Sequence, residues 1–424
     1  MTAPTAVQLP ETRASTGDCR FCGASLEHVF VDLGMSPPCE SYIERAQLNQ
    51  MEPFYPLCAY VCGRCLLVQL QEYISPGAIF SHYAYFSSYS TSWLQHAERY
   101  VAMISQRLGL GPSSQVVEIA SNDGYLLQYF CRAGIPCLGI EPAANVAQVA
   151  QEHGIPTVVE FFGRELAARL REKGLQADLL LGNNVLAHVP DINSFVAGLQ
   201  LLLAPGGVIT MEFPHLARLI EGNQFDTIYH EHFSYLSLGV VERIFARHGL
   251  ALFDVEELPT HGGSLRIYAC HAGPAVPAAS AQMQAVRAEE AAMRLDSLEG
   301  YAGFAERVHE TKFQLLECLI DLRRQGKVVA GYGAPGKGNT LLNYCGIRGD
   351  LLAYTVDRNP FKHGKYLPGT HIPIYPPERI AATKPDYLLI LPWNLRDEII
   401  AQLDYVRDWG AGFIVPIPRV ELIP

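Results

Sequence analysis

Residues 115–124 read QVVEIASNDG, and this stretch decides the fold of the middle of the chain. The β-branched run from Val116 to Ile119 is typical of a short buried strand, and the polar residues and glycine after it mark a loop that opens a helix. Outward from this point, strands and helices alternate. Further strands are predicted at residues 136–141, 157–159, 177–181 and 207–212. This alternation predicts an α/β fold with a doubly wound, mostly parallel sheet.

A second α/β series follows in the C-terminal part of the chain. Its predicted strands lie at residues 327–333, 352–357, 387–391 and 412–415. An Ala- and Glu-rich stretch at residues 275–325 predicts a helical connector before it, and residues 66–70 read as a strand that closes an N-terminal module. The aromatic run at residues 82–90 is interpreted as a loop. We expect three domains, at residues 1–75, 76–255 and 256–424, the last including the connector.

Length and composition limit the class of protein. A chain of 424 residues suggests roughly two to four domains, and 49% hydrophobic with 18% charged residues is the balance of a globular protein. The formal net charge of −11 disfavours nucleic acid or an anionic membrane surface as a partner. The chain shows no apolar run of roughly 20 residues and no secretion signal at its start. We therefore expect a cytoplasmic protein with a small-molecule partner.

Eleven cysteines are present, and most of them lie near the N-terminus. An odd number without a secretion signal makes a disulfide framework a poor interpretation. Two pairs share the spacing Cys-x-x-Cys, which directs thiolates at one ion and predicts a closed, structural zinc site. They are Cys19 with Cys22 and Cys62 with Cys65. Cys39 and Cys58 remain alternatives for one ligand, whereas free cysteines or a redox pair would leave the repeated spacing unexplained.

The loop at residues 118–124 has the position of a cofactor site, because it joins the carboxyl end of a strand to a helix. Glu141 ends the next predicted strand, where a carboxylate can accept hydrogen bonds from both hydroxyls of a ribose. Together with the LAPGG turn at residues 203–207, this order is similar to class I S-adenosylmethionine (SAM) methyltransferases, although Ala120 replaces their usual first glycine. Ordinary strand-end polar residues are the alternative. The implied cofactor contacts are Glu118, Ala120, Ser121, Asn122, Asp123, Gly124, Glu141, Pro142, Asn183 and Asn184.

A second candidate loop lies at residues 331–336. It reads GYGAPG, follows a predicted strand, and has Asp357 at the end of the next one, which is the fingerprint of a nicotinamide dinucleotide site. Pro335 stiffens the turn, however, and Lys337 beside the loop amides suits a substrate phosphate as well as a cofactor. Because one simple reaction does not use both a redox cofactor and a methyl donor, we expect one of the two loops to serve the substrate.

Residues 229–235 read YHEHFSY and form a cluster of titratable side chains. His230 and His232 would share one face of a strand and could bind a metal, although no third ligand follows at a familiar spacing. A structural polar cluster is a second interpretation. Acid–base catalysis is the one we favour, because neutral imidazole accepts a proton near pH 7 and a neighbouring carboxylate or phenol can orient it.

These motifs occur in the same order as in the sugar C-methyltransferases of deoxysugar biosynthesis, which the chain resembles from about Cys19 to Pro418. Besides the cysteine pairs, the resemblance rests on YAYFSS at 83–88, EIASNDG at 118–124, YHEH at 229–232, HGGSLR at 261–266 and GYGAPGK at 331–337. It implies a small N-terminal zinc module, a central Rossmann-like class I methyltransferase domain, and, after the helical connector, a second Rossmann-like domain that helps bind a nucleotide-linked sugar. Those enzymes methylate C3 of a thymidine-diphospho-4-keto-6-deoxy sugar.

The resemblance also implies roles for individual residues. A carbon next to a ketone becomes a nucleophile only after it loses a proton and forms an enolate, so the enzyme must supply a base. By resemblance His232 is that base, and Glu231 and Tyr229 orient it or relay the proton. Tyr85 and His188 are expected to hydrogen-bond the sugar near the reacting carbons.

The remaining predicted contacts bind the other parts of the substrate. The diphosphate needs donors, and the sugar or nucleotide needs a pocket. The candidates are Lys337, Asn339, His261 and Arg266 for the diphosphate, with Ser88 and Tyr83 for the pocket. Three alternatives stay open: a C-methyltransferase of a non-sugar ketone, an NAD-dependent oxidoreductase that uses the C-terminal loop, and a noncatalytic binding protein anchored by zinc.

Overall fold

The computed structural model describes residues 17–75, 77 and 86–424 and arranges them around three β-sheets. Tyr83 and Tyr85 lie outside the described residues, which resume at residue 86; residues 87–89 of the aromatic run form a 3-10 turn. In the part that is described, no helix combines the length and the apolar composition needed to cross a membrane.

The N-terminal sheet is antiparallel and small. Its strands, in spatial order, are β1 (His28–Ser36), β2 (Tyr55–Val61), β3 (Val68–Leu70) and β9 (Ser234–Tyr235). The strand predicted at residues 66–70 is therefore β3. The fourth strand comes from the titratable cluster of the middle of the chain. Residues 230 and 231 of that cluster form a turn and not a strand, which removes the expectation that two histidines share a strand face.

The central sheet has the predicted α/β architecture. Its strands β4 to β8 are parallel, and β10 and β11 extend it with antiparallel pairing in the order β10-β11-β8-β7-β4-β5-β6. These strands are β4 (Val116–Ile119), β5 (Cys137–Ile140), β6 (Thr157–Val158), β7 (Ala177–Asn183), β8 (Leu203–Pro214), β10 (Leu250–Leu258) and β11 (Ser264–His271). The helices are α1 (Thr91–Leu108), α2 (Leu127–Arg132), α3 (Ala144–Glu152), α4 (Arg164–Glu172), α5 (Ile192–Leu202), α6 (Leu216–Glu221) and α7 (Leu238–Arg247). The sheet runs past our proposed boundary at residue 255, which stays a prediction.

The C-terminal sheet is a second α/β unit, preceded by the predicted helical connector. The connector consists of α8 (Ala281–Ala292) and α9 (Phe304–Arg324). The sheet has the order β14-β13-β12-β15-β16-β17 and is parallel apart from β17. Its strands are β12 (Val329–Tyr332), β13 (Thr355–Val356), β14 (Ile374–Tyr375), β15 (Tyr387–Ile390), β16 (Gly412–Val415) and β17 (Glu421–Ile423). Its helices are α10 (Gly336–Cys345), α11 (Glu378–Thr383) and α12 (Arg396–Gln402).

The connector packs the N-terminal domain against the rest of the protein. The ring of Phe304 at the start of α9 stacks on Phe30 of β1, with centroids 4.5 Å apart. The hydroxyl of Tyr301 donates a hydrogen bond to the carbonyl oxygen of Leu66, just before β3, at 3.2 Å. These buried contacts hold the small sheet in one orientation relative to the connector.

Replacing Phe304 by Ala should destabilise the protein by about 3–5 kcal/mol, because the fully buried ring leaves a cavity at this junction. Phe313 lies on the same helix but is 56% exposed, so Phe313→Ala should change stability by less than about 0.5 kcal/mol. Urea unfolding followed by circular dichroism measures both variants. Equal stability of the two would show that the α9 junction does not contribute as described.

Candidate active site

Four thiols form a compact cluster at the N-terminal sheet. The sulfur atoms of Cys19, Cys22, Cys62 and Cys65 all lie within 4.8 Å of one another, and the Cys19–Cys65 and Cys22–Cys62 pairs are each separated by 3.5 Å. Tetrahedral zinc with bonds of 2.3 Å separates its sulfur ligands by about 3.8 Å, so the cluster fits that ion. Within the described residues it is the only group of three or more His, Cys, Asp or Glu side chains with metal-binding spacing.

The predicted ligand set is thus brought together, and both alternative ligands lie elsewhere. Cys58 stands on β2 opposite Asp32 of β1. The thiol of Cys39 lies 3.9 Å from Oε1 of Glu231. The cluster leaves no open position for a substrate, so its role is structural.

The first cysteine turn is fastened directly to the central domain. The guanidinium of Arg20 donates hydrogen bonds to the carbonyl oxygens of Pro190, at 2.8 Å, and Leu70. It also lies over the ring of Phe233, 5.3 Å from its centroid. Asn193 returns a hydrogen bond from its amide nitrogen to the carbonyl oxygen of Arg20 at 3.0 Å. The zinc turn therefore contacts the loop that follows His188.

The loop after β4 has the geometry of a cofactor cradle. Ala120 and Asn122 have φ angles of 57° and 50°, in the left-handed region that favours glycine. Ala120 therefore takes up the backbone conformation for which related loops use glycine. Ser121 Oγ and Asp123 Oδ1 are buried and have no hydrogen-bond partner among the described residues, which leaves them available to a ligand.

Acidic side chains surround this loop. The two oxygens of Glu141 accept hydrogen bonds from the backbone N–H groups of Asn122 and Ala143, at 2.9 and 2.8 Å, and each oxygen retains a lone pair. Below them Glu118 is fully buried, and burial next to Glu141 and Asp123 raises the pKa of its carboxyl well above the usual value. This acidic environment disfavours a pyrophosphate and suits a cationic sulfonium. The residues present therefore fit SAM.

The other predicted cofactor contacts border the same loop. Asn183 ends β7 and donates a hydrogen bond to the hydroxyl of Tyr125 at 3.4 Å. Asn184 has a φ angle of 55° and donates to Nε2 of His261 at 3.1 Å. Gly124, with a φ angle of 78°, packs so tightly that a Cβ there would lie 2.2 Å from Ile155 Cδ1. Pro142 follows Glu141 and is half-buried.

His232 has a defined tautomer. Its Nδ1 lies 2.9 Å from the carbonyl oxygen of Thr227, and because a carbonyl only accepts, Nδ1 carries the proton and Nε2 keeps a lone pair. Burial lowers the pKa of His232 well below its ordinary value, and the neighbouring His188 adds to this effect. A neutral imidazole with an unprotonated Nε2 is the form that a general base requires.

Two aromatic side chains enclose that imidazole. The rings of Tyr229 and His188 have centroids 4.0 and 4.7 Å from that of His232. Burial lowers the pKa of His188 to about 4, although its ring donates a hydrogen bond to the backbone carbonyl of Glu231. A neutral His188 that donates there leaves its other nitrogen as an acceptor.

His261 and Lys337 lie close to the same imidazole. Burial lowers the pKa of His261 to about 4, and the charge of Lys337 lowers the pKa values of both His261 and His232. The His261 side chain is nevertheless accessible to solvent, and those of Lys337, His232 and His188 are half-accessible. Side chains that lie close together and remain accessible can line a substrate cleft.

The acidic member of the cluster contacts the N-terminal domain. Besides the thiol of Cys39, Glu231 lies beside Glu40, and burial together with Glu40 raises its pKa to about 8. The contact that fixes the His232 ring is the Thr227 carbonyl, a backbone group that no sequence pattern signals. The expected role of Glu231 as the orienting group stays a prediction. His230 packs elsewhere, with Nε2 3.3 Å from the carbonyl oxygen of Pro56.

The C-terminal glycine-rich loop is occupied by neighbouring groups. Oδ2 of Asp357, the carboxylate expected for a ribose, accepts a hydrogen bond from the N–H of Ala334 at 2.7 Å. The carbonyl oxygen of Ala334 accepts from the hydroxyl of Tyr42 at 2.6 Å. A Cβ on Gly336 would lie 2.8 Å from Cys39 Sγ. The N-terminal domain therefore docks on this loop, which argues against a nicotinamide dinucleotide there.

The remaining predicted contacts divide. Arg266 donates hydrogen bonds to Glu212 and Glu256 on the adjacent strands, at 2.9 and 2.7 Å, and is only 4% exposed. Because these two carboxylates neutralise the guanidinium, Arg266 is not placed to bind the diphosphate as predicted. Asn339 is buried on α10, and neither of its amide atoms has a partner among the described residues. Ser88 Oγ donates to Asp123 at 2.5 Å and joins its segment to the cofactor loop.

Comparison with known proteins defines the class. The sequence matches the family profiles "Putative zinc binding domain" over residues 19–80, "Methyltransferase domain" over 93–255 and "C-methyltransferase C-terminal domain" over 259–418. Together with the cysteine cluster and the α/β cofactor loop, these matches identify a SAM-dependent methyltransferase with a zinc-binding N-terminal domain.

The family follows from a relative of nearly the same length. C-methyltransferase NovU of Streptomyces niveus is 38% identical over 408 residues, which cover 96% of each chain. The chain therefore belongs to the family of C-methyltransferases that includes NovU. A ubiquinone biosynthesis O-methyltransferase of Chelativorans sp. (strain BNC1) is 28% identical over 96 residues, 22% of this chain and 38% of the relative. The solved structure of magnesium protoporphyrin IX methyltransferase (ChlM) from Synechocystis PCC 6803 with bound SAM aligns over 42% of this chain and 79% of its own, with 15% identity and a TM-score of 0.33.

Replacing Cys62 by Ser should remove about one zinc ion per chain, because the centre then has only three thiolates. The thermal midpoint should fall by more than about 5 °C, since each kcal/mol corresponds to roughly 2–4 °C in domains of this size. Elemental analysis by mass spectrometry and differential scanning calorimetry measure the two effects. Cys58→Ala is the matched control and should retain the metal. A Cys62→Ser protein with a full zinc content would contradict the assignment.

Proposed function

We propose that this C-methyltransferase acts on a carbon next to a ketone, at C3 of a nucleotide-linked 4-keto-6-deoxysugar. The observation that supports it is His232, which is neutral, holds its proton on Nδ1 and is half-accessible. Methylation of carbon requires removal of a proton from that carbon, and an unprotonated Nε2 is the group that removes it. The family to which the chain belongs supplies the reaction class.

The cofactor would lie in the acidic loop after β4. Glu141 would bind the ribose hydroxyls, since its amide contacts fix it while leaving lone pairs. Ser121 Oγ and Asp123 Oδ1 would take polar atoms of the cofactor, and Asn183 and Asn184 border the same crevice. When bound, SAM supplies an electrophilic methyl group on a sulfonium cation.

The proton transfer can be written atom by atom. Nε2 of His232 takes the proton from the substrate carbon, and the electron pair of the C–H bond moves to the ketone oxygen as an enolate. The ring of Tyr229 packs against the imidazole, and its hydroxyl would donate to that oxygen or relay the proton. A donor aimed at such an oxyanion contributes roughly 3–4 kcal/mol. His188 offers an acceptor and would bind a sugar hydroxyl. The imidazolium then loses its proton to solvent.

The anionic end of the substrate would lie against the start of α10. Lys337 supplies a positive charge there, and the amide of Asn339 is buried without a partner among the described residues. His261 lies in the same cleft, and because its Nε2 accepts a hydrogen bond from Asn184, its Nδ1–H can donate to the diphosphate. From the family resemblance, Tyr83 would line the sugar or nucleotide pocket and Tyr85 would hydrogen-bond the sugar near the reacting carbons. A non-sugar ketone would use the same base and the same cofactor loop.

Mass spectrometry of products from methyl-labelled SAM and a panel of thymidine-diphospho-4-keto sugars tests this proposal. We expect one labelled methyl on carbon with at least one sugar. His232→Gln should lower the rate by roughly a hundredfold or more, because general base catalysis contributes about 10²–10⁴. His248→Gln is the control, since His248 hydrogen-bonds Asn193 at 2.9 Å away from the cleft. Methylation on oxygen, or a fully active His232→Gln enzyme, would refute the assignment.

The pH profile provides a second prediction. Burial lowers the pKa of His232 in the folded protein, so the base stays unprotonated as the pH falls through the ordinary histidine range. The acidic limb of kcat/KM should therefore lie below the ordinary histidine pKa of about 6.5. Initial rates of methyl transfer between pH 5 and pH 9 measure it. An acidic limb centred near pH 7 would mean that the base is exposed to solvent or is a different group.

A further inference from the structure

A hydrogen bond joins the C-terminal domain to the backbone turn that holds His232. Nε1 of Trp393 donates to Oδ2 of Asp226 at 2.7 Å. Asp226 is fully buried and Trp393 is 7% exposed, so water does not compete for this contact. Asp226 immediately precedes Thr227, whose carbonyl oxygen accepts the proton-bearing Nδ1 of His232. The indole therefore contacts the residue directly before the one whose carbonyl group sets the His232 tautomer.

The same indole packs between two loops of the cleft. A Cβ on Gly262 would lie 2.9 Å from Cη2 of Trp393, so the turn that carries His261 touches the ring. The side chain of Gln224 donates a hydrogen bond to the carbonyl oxygen of Gly262 at 2.7 Å and ties that turn to residues 225–227. The ammonium group of Lys337 lies over the indole ring, 4.6 Å from its centroid.

Helix α10 supports the turn from its other side. The ring of Phe225 meets that of Tyr344 edge to face, with centroids 5.4 Å apart. Three contacts therefore hold the turn Phe225–Thr227. They are the packing of the Phe225 ring on Tyr344, the hydrogen bond from Trp393, and the hydrogen bond from His232. A short 3-10 turn has few internal hydrogen bonds, so these outside contacts determine its position.

We infer that Asp226 and Trp393 are positioning residues for the base: their hydrogen bond fixes the turn Phe225–Thr227, and the turn fixes the His232 tautomer that leaves Nε2 unprotonated. This inference rests on the proposed role of His232. Neither residue touches the reacting carbon. The C-terminal domain contributes to the chemistry by orienting a group of the central domain, in addition to any contact with the substrate.

Two variants separate the hydrogen bond from the charge. Trp393→Phe removes the donor and keeps an aromatic ring, whereas Asp226→Asn keeps an acceptor oxygen and removes the charge. We expect Trp393→Phe to lower kcat by roughly 10- to 100-fold, the effect of a small misplacement of a catalytic group. The KM and the dissociation constant for SAM should change less than about threefold. Asp226→Asn should retain more activity than Asp226→Ala.

The matched control is Trp409→Phe. Nε1 of Trp409 donates to the carbonyl oxygen of Pro385 at 3.0 Å, in the same domain but away from the cleft. This variant loses one indole hydrogen bond, as Trp393→Phe does, and should keep the wild-type kcat. If both tryptophan variants lose activity equally, the effect of Trp393 is a general loss of stability and the inference is wrong.

A spectroscopic readout tests the inference without any substrate. Protein labelled with ¹⁵N in its histidines should show His232 as the Nδ1–H tautomer in wild type and in Trp409→Phe, with the signal assigned by its loss in His232→Gln. Trp393→Phe should show a mixture of tautomers. An unchanged tautomer in Trp393→Phe would overturn the inference even if methyl transfer is confirmed. If His232→Gln remains active, the proposed base is wrong, and the spectrum still decides whether Trp393 sets the tautomer.

Discussion

The backbone pairing between β3 and β9 is the constraint on which the cleft depends. The N–H of Leu70 donates to the carbonyl oxygen of Phe233 at 3.1 Å, and the N–H of Phe233 donates to that of Ala187 at 2.8 Å. His232 directly precedes Phe233, and His188 directly follows Ala187. One strand end of the zinc domain therefore holds both imidazoles at a fixed separation. The cysteine cluster includes the turn from which β3 starts, so a zinc ion held there would stabilise this pairing.

Local sequence patterns predicted the parts of the fold that local interactions determine. Short apolar runs predicted the positions of β4, β5, β7, β8 and β12, because burial on both faces of a parallel sheet selects apolar residues. The two Cys-x-x-Cys turns predicted the metal cluster, since each turn is a short-range feature. The acidic loop and Glu141 were likewise predictable, as they follow from strand ends and from the edge at which parallel strands place them.

Contacts distant in sequence were not predictable in the same way. Nothing in residues 229–235 indicates that Ser234 and Tyr235 join a sheet with strands more than 150 residues earlier. The sequence predicts Arg266 as a substrate ligand because a single strand does not show which residues of the neighbouring strands face it. Its partners stand opposite it on the two neighbouring strands, where Glu212 and Glu256 face it in register. Cross-strand charge pairs become visible only once strand order is known.

The two ends of the cleft differ in electrostatic character, and this difference favours a cationic cofactor at one end and an anionic substrate group at the other. Near β4, the carboxyl groups of Glu118, Asp123 and Glu141 lie together and favour a sulfonium. Near α10, Lys337 lies among neutral imidazoles and favours an anion. The GYGAPG loop is closed to a dinucleotide by Tyr42 and by the segment that carries Cys39.

The docking of the N-terminal domain on this loop also affects the proposed base. The thiol of Cys39 also contacts Glu231, and the backbone carbonyl of Glu231 accepts a hydrogen bond from the ring of His188. The N-terminal domain thus contacts the histidine pair by a second route, so the positions of both imidazoles depend on how that domain is docked.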